Sequence, residues 1–347
     1  MEGSVETFQV EVYPKTVWIQ QNRHCQRLNH DFWIQSNRLD EWILQEVSIL
    51  VYDQFENVVQ RKRLDNQAHR PSIATLPERM IQPNGSLYLF NPFPEFDNYL
   101  PLHRLNYRLQ FVSTTHELVV LKVDVFPQTY LQKANLTLPL QEGRILIDDG
   151  NDYFSHHRRV VIEHPLIQQL GMTRNDQRFA WDFVFVDDQG QDYHIDEKQL
   201  DHYYSFGKPI YSPGDGKVVS VRNDVPDNDP YNVVIASEEA QNDPSIISGN
   251  QVIIDHGNQE YSVLAHCMNE SICVEVGDVV TTGDFIAKLG NSGWTAYPHL
   301  HYAVVDCSNL LHAEGLPIRF SKIALSAGDE PFHFSNDAPN TGEILVV

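Results

Sequence analysis

The stretch of residues 249–306 restricts the possible folds most, because short β-branched and aromatic runs alternate there with glycine-containing turns. Residues 261–265 and 300–305 both have the composition of a strand. Gly-Asp steps at Gly277 and Gly283 lie between them, and such steps are typical of tight turns between strands. The stretch therefore predicts a compact β-sheet with short connections.

Three histidines of this stretch are expected to converge on one small site. His299 and His301 flank Leu300, and residues two apart in a strand point to the same face, about 7 Å apart along the chain. His266 ends the neighbouring strand-like run. Three imidazoles on neighbouring strands can form a metal site. A His-x-His pair by itself is more often structural, so the metal prediction depends on the residues around it.

Length and charge exclude several classes of function. The chain has 347 residues, enough for two domains with separate cores. Its formal net charge is -22, from 47 acidic and 25 basic side chains. Phosphate backbones and anionic membrane surfaces should repel such a chain, so nucleic acid is not an expected partner. No apolar run approaches the length of a membrane span.

The N-terminus and the cysteines bear on location. The first residues contain Glu2 and Glu6 and no apolar core, so they do not resemble a secretory signal. The four cysteines are sparse and show no Cys-x-x-Cys spacing, which indicates reduced thiols rather than a disulfide framework or a thiolate metal site. As written, the sequence predicts a cytoplasmic protein, whereas an incomplete start would predict the cell envelope.

The alternation of polar and apolar residues predicts an all-β chain in four parts. Residues 1–140 contain short alternating strands with turns between them, which predicts an accessory β-sandwich of immunoglobulin-like shape. Residues 141–176 form a linker that could contribute a metal ligand. Residues 177–310 form a second, compact and mostly antiparallel sheet domain, and residues 311–347 form a C-terminal extension.

One acidic residue stands out in the second domain. Asp182 lies in the middle of the apolar strand predicted for residues 178–186. A carboxylate is costly to bury there unless it is paired or ligated to a cation. Pairing with Arg178 is one explanation, and metal binding is the other.

Residues 177–306 resemble the lysostaphin-type (LytM-like) zinc metallopeptidases, which cut peptide cross-bridges of bacterial cell walls. The resemblance rests on an ordered set of motifs rather than on one of them. They are Asp182 in its strand, residues 207–213 (GKPIYSP), Asp215-Gly216, residues 252–257 (VIIDHG), residues 261–266 (YSVLAH), residues 276–280 (VGDVV), Gly290-Asn291-Ser292-Gly293 and residues 298–302 (PHLHY).

The resemblance implies a zinc-dependent endopeptidase. Its substrate would be a peptidoglycan cross-link or a similar short Gly- or Ala-rich peptide, its cofactor Zn²⁺, and its attacking group a zinc-activated water. Asp182 and His301 match the positions of two zinc ligands. His266 and His299 match the positions that orient the water and stabilise the transition state.

The chain departs from the family at one position. The usual first ligand lies four residues before Asp182, where this sequence has Arg178, and a guanidinium cannot bind zinc. His157 could supply the third bond, with His156 a close second. Alternatively, the domain could be a catalytically degenerate member that binds cell-wall peptide or regulates another hydrolase. A scaffold built on the N-terminal sandwich is a third possibility, which predicts neither zinc nor affinity for cell-wall peptides.

Overall fold

The computed structural model describes residues 7–233, 237–326 and 330–347. The chain divides into two compact units, the first ending at Tyr130 and the second beginning at Leu131. Strands dominate both, and nearly all strand pairs are antiparallel, which confirms the predicted all-β class. Among the described residues, no helix has the length and apolar character that crossing a membrane would require.

The first unit contains twelve strands and one 3-10 helix in its described part. The strands are β1 (Phe8–Tyr13), β2 (Trp18–Gln21), β3 (Gln26–Leu28), β4 (Asp31–Ser36), β5 (Trp42–Tyr52), β6 (Val58–Asp65), β7 (Met80–Ile81), β8 (Ser86–Phe90), β9 (Glu95–Phe96), β10 (Arg104–Ser113), β11 (Leu118–Val125) and β12 (Gln128–Thr129), and the 3-10 helix is Ser72–Thr75.

These strands form three sheets around one apolar core. Their orders are β1-β4-β8, β11-β10-β5-β6 with β7 beside β5, and β12-β2-β3-β9. The inward residues of β5 and β10 alternate with more exposed ones, and Trp42, Ile49, Tyr107 and Phe111 are fully buried. This alternation is what the sequence predicts for a sheet with one buried face. The immunoglobulin-like shape itself remains a prediction.

The second unit contains another twelve strands and several short helices in its described part. The strands are β13 (Arg144–Asp149), β14 (Trp181–Val186), β15 (Pro209–Tyr211), β16 (Gly216–Arg222), β17 (Asn250–Asp255), β18 (Tyr261–Cys267), β19 (Val279–Val280), β20 (Phe285–Lys288), β21 (Leu300–Val305), β22 (Phe320–Leu325), β23 (Phe332–Asp337) and β24 (Ile344–Val346). The helices are α1 (Pro165–Gln169), α2 (Ser237–Asn242) and the 3-10 segments Leu200–His202, Pro244–Ser248 and Leu310–His312.

One large sheet organises this unit. Its strand order is β19-β16-β17-β18-β21-β14-β13-β24-β22-β23, while β15 pairs separately with β20. The predicted linker supplies β13, which pairs with β14, and the predicted C-terminal extension supplies β22 to β24. The central strands β18, β21 and β14 are almost wholly buried, as their apolar sequences indicate.

Candidate metal centre

The candidate site lies on one transverse row of the large sheet. Asp182 on β14 stands opposite His301 on β21, and His301 stands opposite Ala265 on β18. On its other side, β14 pairs with β13, and Asp149 at the end of β13 stands opposite Asp182. Directly opposed residues of an antiparallel pair project from the same face, so strand pairing alone brings the carboxylate and the imidazole together.

Two imidazole nitrogens converge on one oxygen of the Asp182 carboxylate. His301 Nδ1 lies 3.0 Å from Asp182 Oδ1, and His157 Nε2 lies 3.2 Å from the same oxygen. The ligating atoms of the three residues all lie within 4.8 Å of one another. Two ligand atoms of a tetrahedral zinc site, each about 2.0–2.1 Å from the ion, are separated by about 3.3 Å. The side chains therefore fit a zinc ion bound by two imidazoles and one carboxylate.

The surrounding backbone holds His157 in the orientation that a metal ligand needs. Its Nδ1 donates a hydrogen bond of 2.8 Å to the carbonyl of Gly150, and its backbone carbonyl accepts one of 2.9 Å from the Asn175 side chain. Nε2 is enclosed and has no well-directed hydrogen bond. A carbonyl can only accept, so the proton of the neutral ring sits on Nδ1 and the Nε2 lone pair faces Asp182.

Charge and burial oppose each other in this cluster. Burial alone would raise the pKa of Asp182, but the neighbouring His157, His299 and His301 lower that pKa well below its usual value. Burial lowers the pKa of His301 to about 4, although Asp182 acts in the opposite direction. Burial would lower the pKa of His157, but Asp182 raises it above its usual value, so a metal ion that binds this ring must displace a proton from it.

The neighbouring histidine, His156, has a different environment. Its side chain is 67% exposed, its Nδ1 contacts the Asp149 carboxylate, and its Nε2 is 3.9 Å from Asp182 Oδ2. A ring held by a second carboxylate at the surface is poorly placed to complete the buried ligand set. The geometry therefore favours His157, the first choice of the sequence analysis, over His156.

Arg178 points away from the metal centre. Its Nε donates a hydrogen bond of 2.5 Å to Glu314 Oε1, and both side chains are almost completely buried. The structure thus pairs Arg178 with Glu314, whereas histidines surround the Asp182 carboxylate. Arg178 therefore serves as one half of a buried ion pair.

Replacing Arg178 by alanine should destabilise the fold without removing the metal. The change leaves Glu314 as a buried charge without its main partner, which costs about 3–5 kcal/mol of unfolding free energy. Urea unfolding would measure the loss, and elemental analysis should still find the wild-type zinc content. Arg174→Ala is the matched control, because Arg174 is 43% exposed and lies 3.8 Å from Glu314, and it should cost about 1 kcal/mol or less. Loss of zinc with unchanged stability would contradict the assignment.

Two further histidines adjoin the cluster. The rings of His266 and His299 are 4.8 Å apart between centroids, and His299 Nε2 is 3.5 Å from Asp182 Oδ1. Carbonyl oxygens fix both rings, because Nδ1 of His266 donates to Ser292 at 2.8 Å and Nδ1 of His299 donates to Tyr297 at 3.0 Å. Each neutral ring therefore keeps Nε2 as an acceptor. Burial, with repulsion from His299 and His301, lowers the pKa of His266 well below its usual value.

A backbone irregularity brings His266 to this face. Ala265 already points toward the candidate site, so regular alternation would turn His266 to the opposite face. Instead, His266 has a φ of 60°, and the pairing of β17 with β18 shifts register nearby. A positive φ at a residue other than glycine is uncommon and often marks a functional position. Composition and periodicity do not reveal such a turn.

A cavity of about 420 Å³ opens above the row. The small residues Ala265 and Ala303 contribute to its lining, and so does Trp294, which is 58% exposed. The 3-10 segment Pro244–Ser248, between β16 and β17, contributes Ile247 and Ser248. The sequence analysis did not anticipate this wall, because contacts between distant segments create it.

Comparison with known proteins supports a peptidase relationship. The profile of peptidase family M23 matches residues 197–312. Part of the chain is 34% identical over 99 residues to the peptidoglycan DD-endopeptidase ShyA of Vibrio cholerae, and 32% identical over 99 residues to ShyB of the same organism. Each alignment covers 28% of this chain and 18% of the relative, so the chain spans about a fifth of the length of these curated relatives.

A solved structure with similarity to the chain is the catalytic domain of the antimicrobial peptidase lysostaphin from Staphylococcus simulans. Sequence identity is 18%, the TM-score is 0.23, and the alignment covers 36% of this chain and 86% of that chain. The family match, which confirms the resemblance inferred from the motifs, begins after Asp182 and includes His266, His299 and His301. The chain therefore carries a domain of peptidase family M23 at residues 197–312.

Proposed function

We propose that this chain is a zinc-dependent endopeptidase that acts on peptidoglycan cross-links or similar Gly- or Ala-rich peptides. The observation that carries the proposal is the convergence of His157, Asp182 and His301 beside two further histidines in one cavity. The family match and the two DD-endopeptidase relatives support peptide hydrolysis and the choice of substrate.

The proposed ligands are His157 Nε2, a carboxylate oxygen of Asp182 and His301 Nδ1. A zinc ion bound there would act as a Lewis acid, polarising the scissile carbonyl and lowering the pKa of water. The hydrogen bond from His157 Nδ1 to the carbonyl of Gly150 fixes the orientation of the His157 ring as a metal ligand. The inferred third ligand thus replaces the histidine that the family usually has four residues before Asp182.

His266 and His299 are the proposed proton-transfer groups. Both rings direct Nδ1 to a carbonyl, so each Nε2 can accept a hydrogen bond from the attacking water and take its proton. The ring that receives the proton can then donate it to the departing amine. The lowered pKa of His266 keeps that ring neutral, so its Nε2 is available as a hydrogen-bond acceptor.

The residues that line the cavity support a peptide substrate with small side chains. Ala265 and Ala303 lie in its lining beside the ligands, and the exposed ring of Trp294 offers an apolar surface. Bulky side chains on the residues flanking the scissile bond would compete for this limited space. Glycine and alanine on either side of that bond meet the restriction best.

Zinc content and hydrolysis together test the proposed function. Protein purified without added metal should contain about one zinc per chain by elemental analysis. It should release cross-linked peptides from purified peptidoglycan, as followed by mass spectrometry, and a chelator should stop the release until zinc is restored. A chain that takes up no zinc and cleaves nothing, yet binds cell-wall peptide, would instead be the degenerate binding module.

A further inference from the structure

One short segment orients both proposed proton-transfer rings. Residues 291–297, the acceptor segment, lie between β20 and β21. The Ser292 carbonyl accepts from His266 Nδ1 at 2.8 Å, and the Tyr297 carbonyl accepts from His299 Nδ1 at 3.0 Å. The direction of each imidazole therefore depends on the path of the acceptor segment.

A side chain from a distant part of the chain holds the acceptor segment. The Nδ2 amine of Asn228 donates to the carbonyl of Asn291 at 2.9 Å and to that of Gly293 at 2.7 Å. A longer hydrogen bond of 3.4 Å reaches the carbonyl of Thr295. Asn291 and Gly293 are the chain neighbours of Ser292, so Asn228 fixes the backbone on both sides of the carbonyl that orients the first ring.

The second ring depends on the same side chain through Thr295. Thr295 Oγ1 lies 3.2 Å from His299 Nδ1 and 2.9 Å from the Tyr297 carbonyl, which accepts from the same ring. Because the backbone carbonyl of Thr295 accepts from Asn228, the hydroxyl beside the His299 ring is held by the same amide.

Backbone contacts fix Asn228 in turn. Its amide donates to the Asn291 carbonyl at 3.0 Å, and its carbonyl accepts from the Asn291 side chain at 3.0 Å. Nearby, the Asp227 carboxylate accepts from the Asn291 amide at 2.7 Å, and the Tyr231 amide donates to the Ala296 carbonyl at 2.6 Å. Asn228 and Asn291 are both buried, so loss of these hydrogen bonds would leave carbonyls without a donor.

We propose that Asn228 is a positioning residue that holds the rings of His266 and His299 in the orientation that proton transfer requires. This inference rests on the proposed endopeptidase function and adds a residue that acts through the acceptor segment. A displacement of about 1 Å at a reacting group can lower a rate by about 100-fold. Loss of the Asn228 amine should therefore affect kcat rather than the binding of zinc or substrate.

The ring protons give a direct test of this positioning. Asn228→Asp removes the amine at almost constant side-chain volume and places a carboxylate beside the carbonyls of the acceptor segment. In protein labelled with 15N-histidine, hydrogen-bonded Nδ1 protons give NMR signals that His266→Ala and His299→Ala would assign. Asn228→Asp should abolish both signals. The Nδ1 signal of His157, which donates to Gly150 instead, should persist.

Kinetics on the same preparations give a second readout. Asn228→Asp should lower kcat about 10- to 100-fold, change KM by less than about threefold and leave the zinc content unchanged. Asn91→Asp is the matched control, because Asn91 is fully buried in the first unit and also donates its amine to two carbonyls, those of Leu28 and Phe93. It should lower stability in urea unfolding but leave kcat and the three imidazole signals unchanged.

The imidazole signals separate this inference from the proposed function, because they decide it even if the protein cleaves no peptide. The inference is overturned if wild type lacks the His266 and His299 signals, or if folded Asn228→Asp retains both. Joint loss of the His157 signal, equal losses in Asn91→Asp or an unchanged kcat would also overturn it. If Asn228→Asp does not fold, Asn228→Ala removes the donor without adding a charge, and the same signals and outcomes apply to it.

Discussion

Replacement of His157 by alanine is expected to remove zinc from the protein and to abolish hydrolysis. His157 Nε2 is one of three atoms in the proposed ligand set, and a catalytic zinc site needs three protein ligands. Removing a residue that only hydrogen-bonds to a ligand already lowers metal affinity by about 10- to 100-fold. Loss of a ligand itself should therefore lower zinc affinity by more than about 100-fold. Elemental analysis and chelator competition would measure the affinity.

His156→Ala is the control for this experiment. The two histidines are adjacent in the chain, but His156 is 67% exposed and its Nε2 is farther from the Asp182 carboxylate than that of His157. This variant should retain about one zinc per chain. Because His157 is buried, His157→Gln is a second variant that preserves side-chain volume, and circular dichroism would establish folding. Zinc that survives in folded His157→Gln but disappears in His156→Ala would contradict the assignment.

Replacement of His299 by alanine should reduce hydrolysis strongly while zinc remains bound. The loss of a general base costs about 10²- to 10⁴-fold in rate, and His299 Nε2 is the non-ligand nitrogen 3.5 Å from Asp182 Oδ1. His266→Ala should cause a loss in the same range. The double variant should be little worse than either single one if the two rings act as a unit. The measurement is kcat/KM on the same peptide, with zinc content determined on the same preparations.

His164→Ala serves as the control for the pair, because His164 is exposed and its ring caps α1 by accepting from the Leu166 amide. It should leave hydrolysis unchanged. A His299→Ala variant that retains full activity, or one that loses zinc in proportion to activity, would show that His299 has a different role. In the second case, it would be a ligand rather than a proton-transfer group.

The central part of the candidate site could be predicted from the sequence because it depends on local periodicity. The two-residue repeat of a strand places His299 and His301 close together, and the apolar run around Asp182 indicates a buried carboxylate. The structure brings both histidines to within 3.5 Å of the Asp182 carboxylate. The all-β class followed from the same alternation along the strands.

Features that depend on contacts between distant segments could not be predicted from the sequence. Tyr297 donates to Asp148 across the site, and Ile247 contributes to the cavity from the 3-10 segment between β16 and β17. The strand was predicted to begin at residue 178, but in the structure it begins at Trp181. The turn that precedes it contains Arg178, which pairs with the buried Glu314. No local signal in the sequence specifies these pairings.

The wide separation of the proposed ligands along the chain has a consequence for the durability of the fold. Asp182 and His301 are 119 residues apart, and His157 belongs to a third segment before β14. All four cysteines are free, so no disulfide restrains the unfolded chain. An ion joining the three segments would close long loops, as a cross-link does, and so reduce the conformational entropy of the unfolded state. The cation would then contribute to the stability of the folded protein as well as to its chemistry.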